Sequence, residues 1–141
     1  MVKTVTTYSE EETILLGKSF SNELKKGDIV ALYGELGTGK TQIIKCICDG
    51  LGVSQSVTSP TFTLMNLYEG REKIFHYDFY RLNSESEIYD LCVDDYFFSD
   101  GISLIEWAEK CENLLPLERI NVNLSYGDSE NSRVINFERK T

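Results

Sequence analysis

A phosphate-binding motif stands in the first third of the chain. Residues 34–41 read GELGTGKT, which matches the P-loop pattern G-x-x-x-x-G-K-[ST] of nucleoside triphosphatases. Glycines in such a loop let backbone N–H groups turn inward around an anion. The motif predicts that Lys40 reaches the β- and γ-phosphates and that the Thr41 hydroxyl ligates Mg²⁺. The alternative is a glycine-rich turn without a ligand. The predicted phosphate-binding residues are Gly34, Glu35, Leu36, Gly37, Thr38, Gly39, Lys40 and Thr41.

A carboxylate that could hold the metal follows a short apolar segment. Glu106 comes directly after the run 102–105, which reads ISLI. The carboxyl end of a buried strand is where P-loop enzymes carry an acidic residue close to Mg²⁺. Because a P-loop is also present, we interpret Glu106 as a metal-site residue. The alternative is a glutamate that faces solvent at the end of a strand.

A second carboxylate, Asp78, lies in the alternating segment 75–80. A strand there would place Asp78 on the same face as His76. A buried carboxylate needs a partner, which could be structural, such as Arg81 or a backbone donor. The partner could instead be the hydration shell of Mg²⁺ or the attacking water. His76 is more typical of a packed, hydrogen-bonded ring than of a catalytic one. The catalytic candidates are therefore Lys40, Asp78 and Glu106, and the metal candidates are Thr41, Glu106 and Asp78.

Two further residues could sense or cover a nucleotide. Thr61 ends the segment SPT at 59–61, which follows the P-loop helix where GTPases carry a switch segment. A threonine hydroxyl there can sense the γ-phosphate or its Mg²⁺, although Pro60 could simply shape a turn. Trp107 is the single tryptophan. It either packs in the core or covers the nucleotide pocket or a partner surface.

These residues need a sheet whose strand ends meet. The apolar segment 28–33 is typical of a buried parallel strand. After the motif, apolar residues recur at helical spacing through Leu51. Ser9 and Glu12 have the spacing of a capping box, which predicts an earlier helix that ends near residues 25–27.

The remaining segments predict the edges of that sheet. Alternation predicts an edge strand at 2–7, a hairpin from segments 63–68 and 73–80, and a terminal hairpin from segments 120–124 and 133–137. Short helical segments are predicted at 84–91 and 94–98. The fold class is therefore α/β, a P-loop NTPase-like three-layer sandwich with a small parallel core sheet and antiparallel edge hairpins. We expect residues 1–141 to form a single P-loop ATPase domain.

Composition argues against several other classes of protein. No apolar run approaches the ~18 residues that span a bilayer, and residues 1–4 lack an apolar leader, so we expect a cytoplasmic protein without membrane contact. The four cysteines form no C-x-x-C pair and there is one histidine, which argues against zinc and for reduced thiols. The net charge of −9 repels nucleic acid, so another molecule should hold any RNA. Alternatively, the acidity only confers solubility.

Four segments together resemble the bacterial TsaE (YjeE) family. They are the GELGTGKT motif, SPTFTL at 59–64, HYDFYRL at 76–82 and IEW at 105–107, in that family's order and spacing. The resemblance spans nearly the whole chain. It implies a Mg²⁺-dependent ATPase required for the threonylcarbamoyladenosine modification of tRNA next to the anticodon. It also implies TsaD and TsaB homologues as partners, with tRNA contacted only indirectly through their complex.

The resemblance also implies roles for individual residues. It assigns the phosphates to Lys40 and the P-loop amides, Mg²⁺ to Thr41 and Glu106, the γ-phosphate side to Asp78 and Thr61, and a functional aromatic to Trp107. It brings Glu10 of the first helix and the last turn, Ser132 and Arg133, near the nucleotide. Four positions depart from the family pattern: Glu35, Thr38, Gln42 and Ala108. The first two keep their backbone donors, and Gln42 brings an amide to the α-phosphate side.

The same residues predict weak catalysis by the isolated protein. No obvious arginine finger appears among the five arginines, although Arg81 is a candidate, and a missing finger can cost roughly 10³–10⁵ in rate. We therefore expect slow hydrolysis that partners stimulate. Two other functions remain open at this point: a nucleotide-gated scaffold without meaningful catalysis, and a small P-loop kinase.

Overall fold

A computed structural model describes residues 2–35, 38–58, 65–80, 86, 100–110 and 112–140. In this part of the chain, two α-helices accompany seven strands of one sheet. In chain order they are β1 (Val2–Thr7), α1 (Glu10–Ser21), β2 (Ile29–Gly34), α2 (Lys40–Gly50), β3 (Met65–Glu69), β4 (Lys73–Asp78), β5 (Gly101–Glu106), β6 (Arg119–Tyr126) and β7 (Arg133–Lys140). Two short 3₁₀ turns, Ala108–Lys110 and Glu112–Leu114, lie between β5 and β6.

The strand order is β1-β7-β6-β2-β5-β4-β3. The four central strands, β6, β2, β5 and β4, run parallel to one another. The outer strands pair antiparallel: β3 with β4, β7 with β6, and β1 with β7. The predicted edge strand and both hairpins are therefore confirmed. So is the α/β fold class, with a parallel core between antiparallel edges.

Strand alternation divides the core between the two faces of the sheet. Val30 and Leu32 of β2 pack with α1 and α2 on one face, and Ile29 and Ala31 pack on the other face near the 3₁₀ turns. Both helices thus form one layer, the sheet is the second, and the 3₁₀ turns cover part of the opposite face. A buried strand of a parallel sheet must be apolar on both faces, which explains the apolar run of β2.

The predicted helix boundaries are right at three ends and wrong at one. Ser9 caps α1 by accepting a hydrogen bond from the Glu12 backbone N–H, and α2 runs from Lys40 to Gly50. However, α1 ends at Ser21, not near residues 25–27. The Asp28 carboxylate accepts a hydrogen bond from the backbone N–H of Lys25 at 2.8 Å, which favours a turn over another helical turn.

Several predictions lie outside the described residues. These are the helical segments predicted at 84–91 and 94–98, apart from Ser86. Within the described ranges, no helix has the length and apolar character needed to cross a membrane.

Candidate nucleotide and metal site

The P-loop joins the carboxyl end of β2 to the first turn of α2. Gly34 has φ 153° and Gly39 has φ 103°, backbone conformations that favour glycine. A Cβ atom on Gly34 would lie 2.8 Å from both the Leu124 carbonyl oxygen and Thr38 Oγ1. The loop therefore has room for backbone alone at that point, as an anion cradle requires. Gly39 precedes the helix, whose N-terminal end carries partial positive charge.

Lys40 points back across the loop that it follows. Its Nζ atom donates a hydrogen bond to the Gly34 carbonyl oxygen at 2.6 Å and lies 3.5 Å from the centroid of the Trp107 ring. Burial lowers the pKa of Lys40, and the nearby carboxylates of Glu109, Glu106 and Asp78 oppose that shift. A buried ammonium of this kind gains from any further negative charge brought beside it, as a phosphate would provide.

Thr41 and Glu106 meet between α2 and β5. The Thr41 hydroxyl donates a hydrogen bond to Glu106 Oε1 at 2.8 Å. Glu106 is only 3% exposed, so the alternative of a solvent-facing glutamate is wrong. Because Thr41 Oγ1 is the donor in this bond, its lone pairs remain available beside the carboxylate. A hydroxyl oxygen and a carboxylate are oxygen ligands of the kind that suits Mg²⁺.

Asp78 ends β4 directly beside the end of β5, where it pairs in register with Glu106. Its side chain is buried, and Oδ1 accepts a hydrogen bond from the Tyr80 backbone N–H at 2.9 Å. A backbone donor is thus one of its partners, while Arg81 lies outside the described residues. The carboxyl ends of β2, β4 and β5 bring the P-loop, Asp78 and Glu106 to one edge of the sheet.

His76 and Tyr68 extend this site into the core. His76 Nε2 lies 2.7 Å from Glu106 Oε2, and His76 Nδ1 lies 3.3 Å from the Tyr68 hydroxyl. The histidine is 0% exposed, which confirms the interpretation of a packed, hydrogen-bonded ring. The sequence analysis missed its partners. The one signal that the sequence offered was the alternation that places His76 and Asp78 on the same strand face.

Trp107 adopts a strained backbone conformation next to Glu106. Its φ is 60°, a left-handed value that costs free energy in a bulky residue and is concentrated at functional sites. The ring is half-buried, packs 4.9 Å from the Tyr80 ring and contacts Lys40 on its face. Lys110 secures Tyr80 by donating a hydrogen bond to its backbone carbonyl. Trp107 is therefore held over the P-loop lysine.

A cavity of about 190 Å³ opens on the other side of the P-loop. Its lining combines the start of α1, the start of α2 and the β6–β7 turn: Glu10, Thr13, Thr38, Gly39, Gln42, Asn131 and Arg133. Sequence analysis singled out Glu10, Gln42 and Arg133 but missed Thr13 and Asn131. Ser132 is not part of the lining, because its side chain is buried in the turn.

Arg133 ties the C-terminal hairpin to the P-loop. Its Nε atom donates to the Thr38 carbonyl oxygen at 3.2 Å, and Nη1 donates to the carbonyl oxygens of Glu130 and Ser132 at 2.7 and 2.9 Å. Its guanidinium lies 4.9 Å from the centroid of the Tyr126 ring. These contacts hold a cation at the edge of the cavity.

The described residues fit Mg²⁺ and a nucleoside triphosphate. Gly34 and Gly39 have the backbone conformations of an anion-binding loop, and Thr41 with Glu106 supplies the hard oxygen ligands that Mg²⁺ takes from proteins in addition to phosphates. The adjoining cavity of about 190 Å³ borders the P-loop at Thr38 and Gly39. Three of the predicted site residues, Leu36, Gly37 and Thr61, lie outside the described residues.

Comparison with known proteins identifies the family. The family model described as "Threonylcarbamoyl adenosine biosynthesis protein TsaE" matches residues 7–135. The chain is 41% identical over 126 residues to a Bacillus subtilis protein named tRNA threonylcarbamoyladenosine biosynthesis protein TsaE, covering 88% of this chain and 78% of that protein. A Rickettsia bellii protein of the same name is 43% identical over 127 residues, covering 86% of this chain and 85% of that protein.

A solved structure agrees with the sequence comparison. The crystal structure of YdiB from Bacillus subtilis matches with a TM-score of 0.83 and 33% sequence identity, covering 100% of this chain and 88% of that chain. Both the sequence and the fold therefore agree along most of the chain. This protein belongs to the TsaE family of threonylcarbamoyl adenosine biosynthesis proteins.

Proposed function

We propose that this protein is a Mg²⁺-dependent ATPase that serves the threonylcarbamoyladenosine modification of tRNA. Its membership of the TsaE family supports a role in that biosynthesis. The observation that carries the ATPase proposal is the hydrogen bond of 2.8 Å between Thr41 Oγ1 and Glu106 Oε1. It joins the hydroxyl that ends the P-loop motif to a buried carboxylate, and these two groups would hold Mg²⁺.

The other residues divide the work of binding ATP. The P-loop amides and Lys40 would hold the phosphates, and the cavity beside Gln42 and Arg133 would take the nucleoside. Mg²⁺, when bound, would neutralise charge on the transferring phosphoryl group. Asp78, or less directly Glu106, would orient the attacking water, since both carboxylates lie at the same strand ends.

We also propose TsaD and TsaB homologues as the partners that complete the site. Three arginines in the described residues after Glu106 are already engaged. Arg119 donates to Asn121 and to the Pro116 carbonyl oxygen, Arg139 pairs with Asp28, and Arg133 holds Thr38. The proposal of slow hydrolysis by the isolated chain follows from this. A small P-loop kinase would instead carry arginines in a lid over the phosphates, so these contacts argue against a kinase.

The decisive experiment is reconstitution of tRNA modification over many turnovers with TsaD and TsaB homologues. We expect the wild-type protein to sustain repeated turnovers and Glu106→Ala to fail after the first ones. Glu118→Ala is the matched control, because Glu118 is an exposed carboxylate away from the site. Full modification by Glu106→Ala would replace the ATPase proposal with a nucleotide-gated scaffold.

A second measurement tests the partners alone. ATP hydrolysis is measured for the isolated protein and again with both partner proteins present. We expect the partners to raise the rate of hydrolysis markedly. The arginines described after Glu106 all bind other groups, so none of them is free to reach the proposed position of the γ-phosphate. Equal rates would show that the partners do not complete the site, and a phosphorylated small-molecule product would indicate a kinase.

A further inference from the structure

A buried chain of hydrogen bonds runs from Glu106 to the backbone at Thr58. His76 bridges Glu106 Oε2 and the Tyr68 hydroxyl, at 2.7 and 3.3 Å. The Tyr68 hydroxyl then lies 3.0 Å from the Thr58 carbonyl oxygen and accepts a hydrogen bond from the Thr58 backbone N–H at 3.2 Å. The side chains of Glu106, His76 and Tyr68 are all buried, so solvent does not compete for the two bonds that join them.

The chemistry of these groups fixes the direction of the bond to Glu106. An ionised carboxylate only accepts hydrogen bonds, so His76 Nε2 carries the proton that faces Glu106. The Tyr68 hydroxyl lies within hydrogen-bond distance of both His76 Nδ1 and the Thr58 carbonyl oxygen, and its single proton can serve one of them at a time. The Asn66 amide also donates a hydrogen bond to the Thr58 carbonyl oxygen at 3.3 Å. Both ring nitrogens thus have partners, which sets the orientation of the ring.

We propose that His76 and Tyr68 are positioning residues that hold the Glu106 carboxylate ready for Mg²⁺. This inference rests on the proposed function. Thr41 occupies one carboxylate oxygen and His76 the other, so the plane of the carboxylate is set before any metal arrives. Partners that orient a metal ligand raise metal affinity, and their loss typically costs 10–100-fold in affinity or activity.

A positioning role differs from a purely structural one in what a substitution changes. If His76 only fills space, its loss should weaken nucleotide binding equally with and without Mg²⁺. If it orients Glu106, the loss should fall on the Mg²⁺-dependent part alone, since Glu106 faces the metal site and not the nucleoside cavity. The useful quantity is the ratio of the nucleotide Kd without Mg²⁺ to the Kd with Mg²⁺.

Three variants separate these roles in the full-length chain. His76→Leu removes both hydrogen bonds and replaces the ring with an apolar side chain of similar bulk. His76→Gln keeps an N–H donor that can reach Glu106. Tyr68→Phe removes one hydroxyl and leaves the ring in place. Each variant is titrated with the non-hydrolysable ATP analogue AMP-PNP, with Mg²⁺ and with EDTA, after thermal melting has established that it folds.

We expect His76→Leu to lower the Mg²⁺-dependent ratio by about tenfold or more, with the Kd in EDTA unchanged. His76→Gln should recover most of the ratio, and Tyr68→Phe should lose less than His76→Leu because its contact lies one residue further from the metal. If His76→Leu fails to fold, the comparison of Tyr68→Phe with His76→Gln and wild type still decides the outcome. A Tyr68→Phe ratio equal to that of the wild type would then overturn the proposal.

Two other results have distinct meanings. If the wild-type protein binds AMP-PNP with the same Kd in Mg²⁺ and in EDTA, the metal part of the proposed function fails, and this inference fails with it. If the wild type depends on Mg²⁺ but folded His76→Leu matches it, only the positioning role is overturned. Equal losses in His76→Leu and His76→Gln would also overturn it, since the retained donor would then have no effect.

Discussion

The two sides of the P-loop are built from different kinds of contact. On the side where we propose Mg²⁺, called the metal side below, hydrogen bonds of 2.7 and 2.8 Å join Thr41, Glu106 and His76 near the ends of buried parallel strands. On the side where we propose the nucleoside, called the nucleoside side below, the cavity is lined partly by exposed or half-buried side chains, among them Glu10 and Asn131, from a helix start and a turn. Buried core strands therefore position the residues of the metal side, whereas surface segments position those of the nucleoside side.

This difference predicts which kinetic constant each side controls. Groups held rigidly where charge develops contribute to the transition state and so to kcat. Groups that line an open cavity contribute similarly to the ground state and the transition state, and so to KM. Substitutions on the two sides should therefore separate in a kinetic analysis of ATP hydrolysis with partner proteins present.

The largest effect should come from Lys40, which lies between the two sides. We expect Lys40→Met to lower kcat/KM by roughly 10³-fold, since the variant keeps the length of the side chain but loses the charge that faces the phosphates. Lys45→Met is the control, because Lys45 lies on the same helix and is exposed. Similar kinetics for both variants would mean that Lys40 does not contact the phosphates.

Thr41 tests the metal side by itself. Thr41→Ala removes the hydroxyl that donates to Glu106, and we expect kcat to fall by about 10²-fold. Thr41→Ser keeps the hydroxyl and should retain most of the activity. AMP-PNP binding in EDTA should be the same for both variants. A loss of binding in EDTA as large as the loss in Mg²⁺ would contradict a specific role at the metal.

Local patterns in the sequence were sufficient to predict where most residues of the metal side lie in the fold. The period of two along β4 placed His76 and Asp78 on one face, and the apolar run before Glu106 predicted a buried strand end. The strand, glycine loop and helix around Lys40 were equally readable, since each depends on residues close in sequence. These predictions needed no knowledge of which strands are neighbours.

The missed contacts are those that depend on strand order. His76 meets Glu106 because β4 and β5 pair in parallel with Asp78 opposite Glu106, a register that alternation alone does not set. Arg133 begins β7, which pairs with β6, and β6 lies beside β2 in the sheet. This strand order brings Arg133 to Thr38, although the two residues are far apart in sequence. The nucleoside side therefore rested on family resemblance, and its lining residues Thr13 and Asn131 had no local signal.

Arg133 tests the nucleoside side. Arg133→Ala removes the hydrogen bond to the Thr38 carbonyl and the stacking on Tyr126. We expect KM for ATP to rise about tenfold, equivalent to about 1.4 kcal/mol, with kcat nearly unchanged. Arg133→Lys should recover little, because an ammonium lacks the planar fork that serves several acceptors at once. A fall in kcat of similar size would erase the distinction between the two sides.

The smallest effect on nucleotide binding is expected at Trp107. Its ring lies against Lys40 and restricts the conformations of the lysine side chain. A cation–π contact at a half-buried ring is worth about 0.5–1 kcal/mol, and the ammonium gives it up when it turns to the phosphates, so Trp107→Leu should strengthen AMP-PNP binding by about threefold. Trp107→Phe keeps an aromatic face and should lie between that variant and the wild type. Neither leucine nor phenylalanine relieves the strain of the φ of 60° at this position, so we expect their difference to report the ring and not the backbone. In the wild type, the emission of this single tryptophan should change on nucleotide binding as the ammonium turns to the phosphates, and Lys40→Met should abolish that change. An unchanged emission at saturating AMP-PNP would mean that Lys40 keeps its contact with Trp107, and the lysine would then serve both sides of the site from one position.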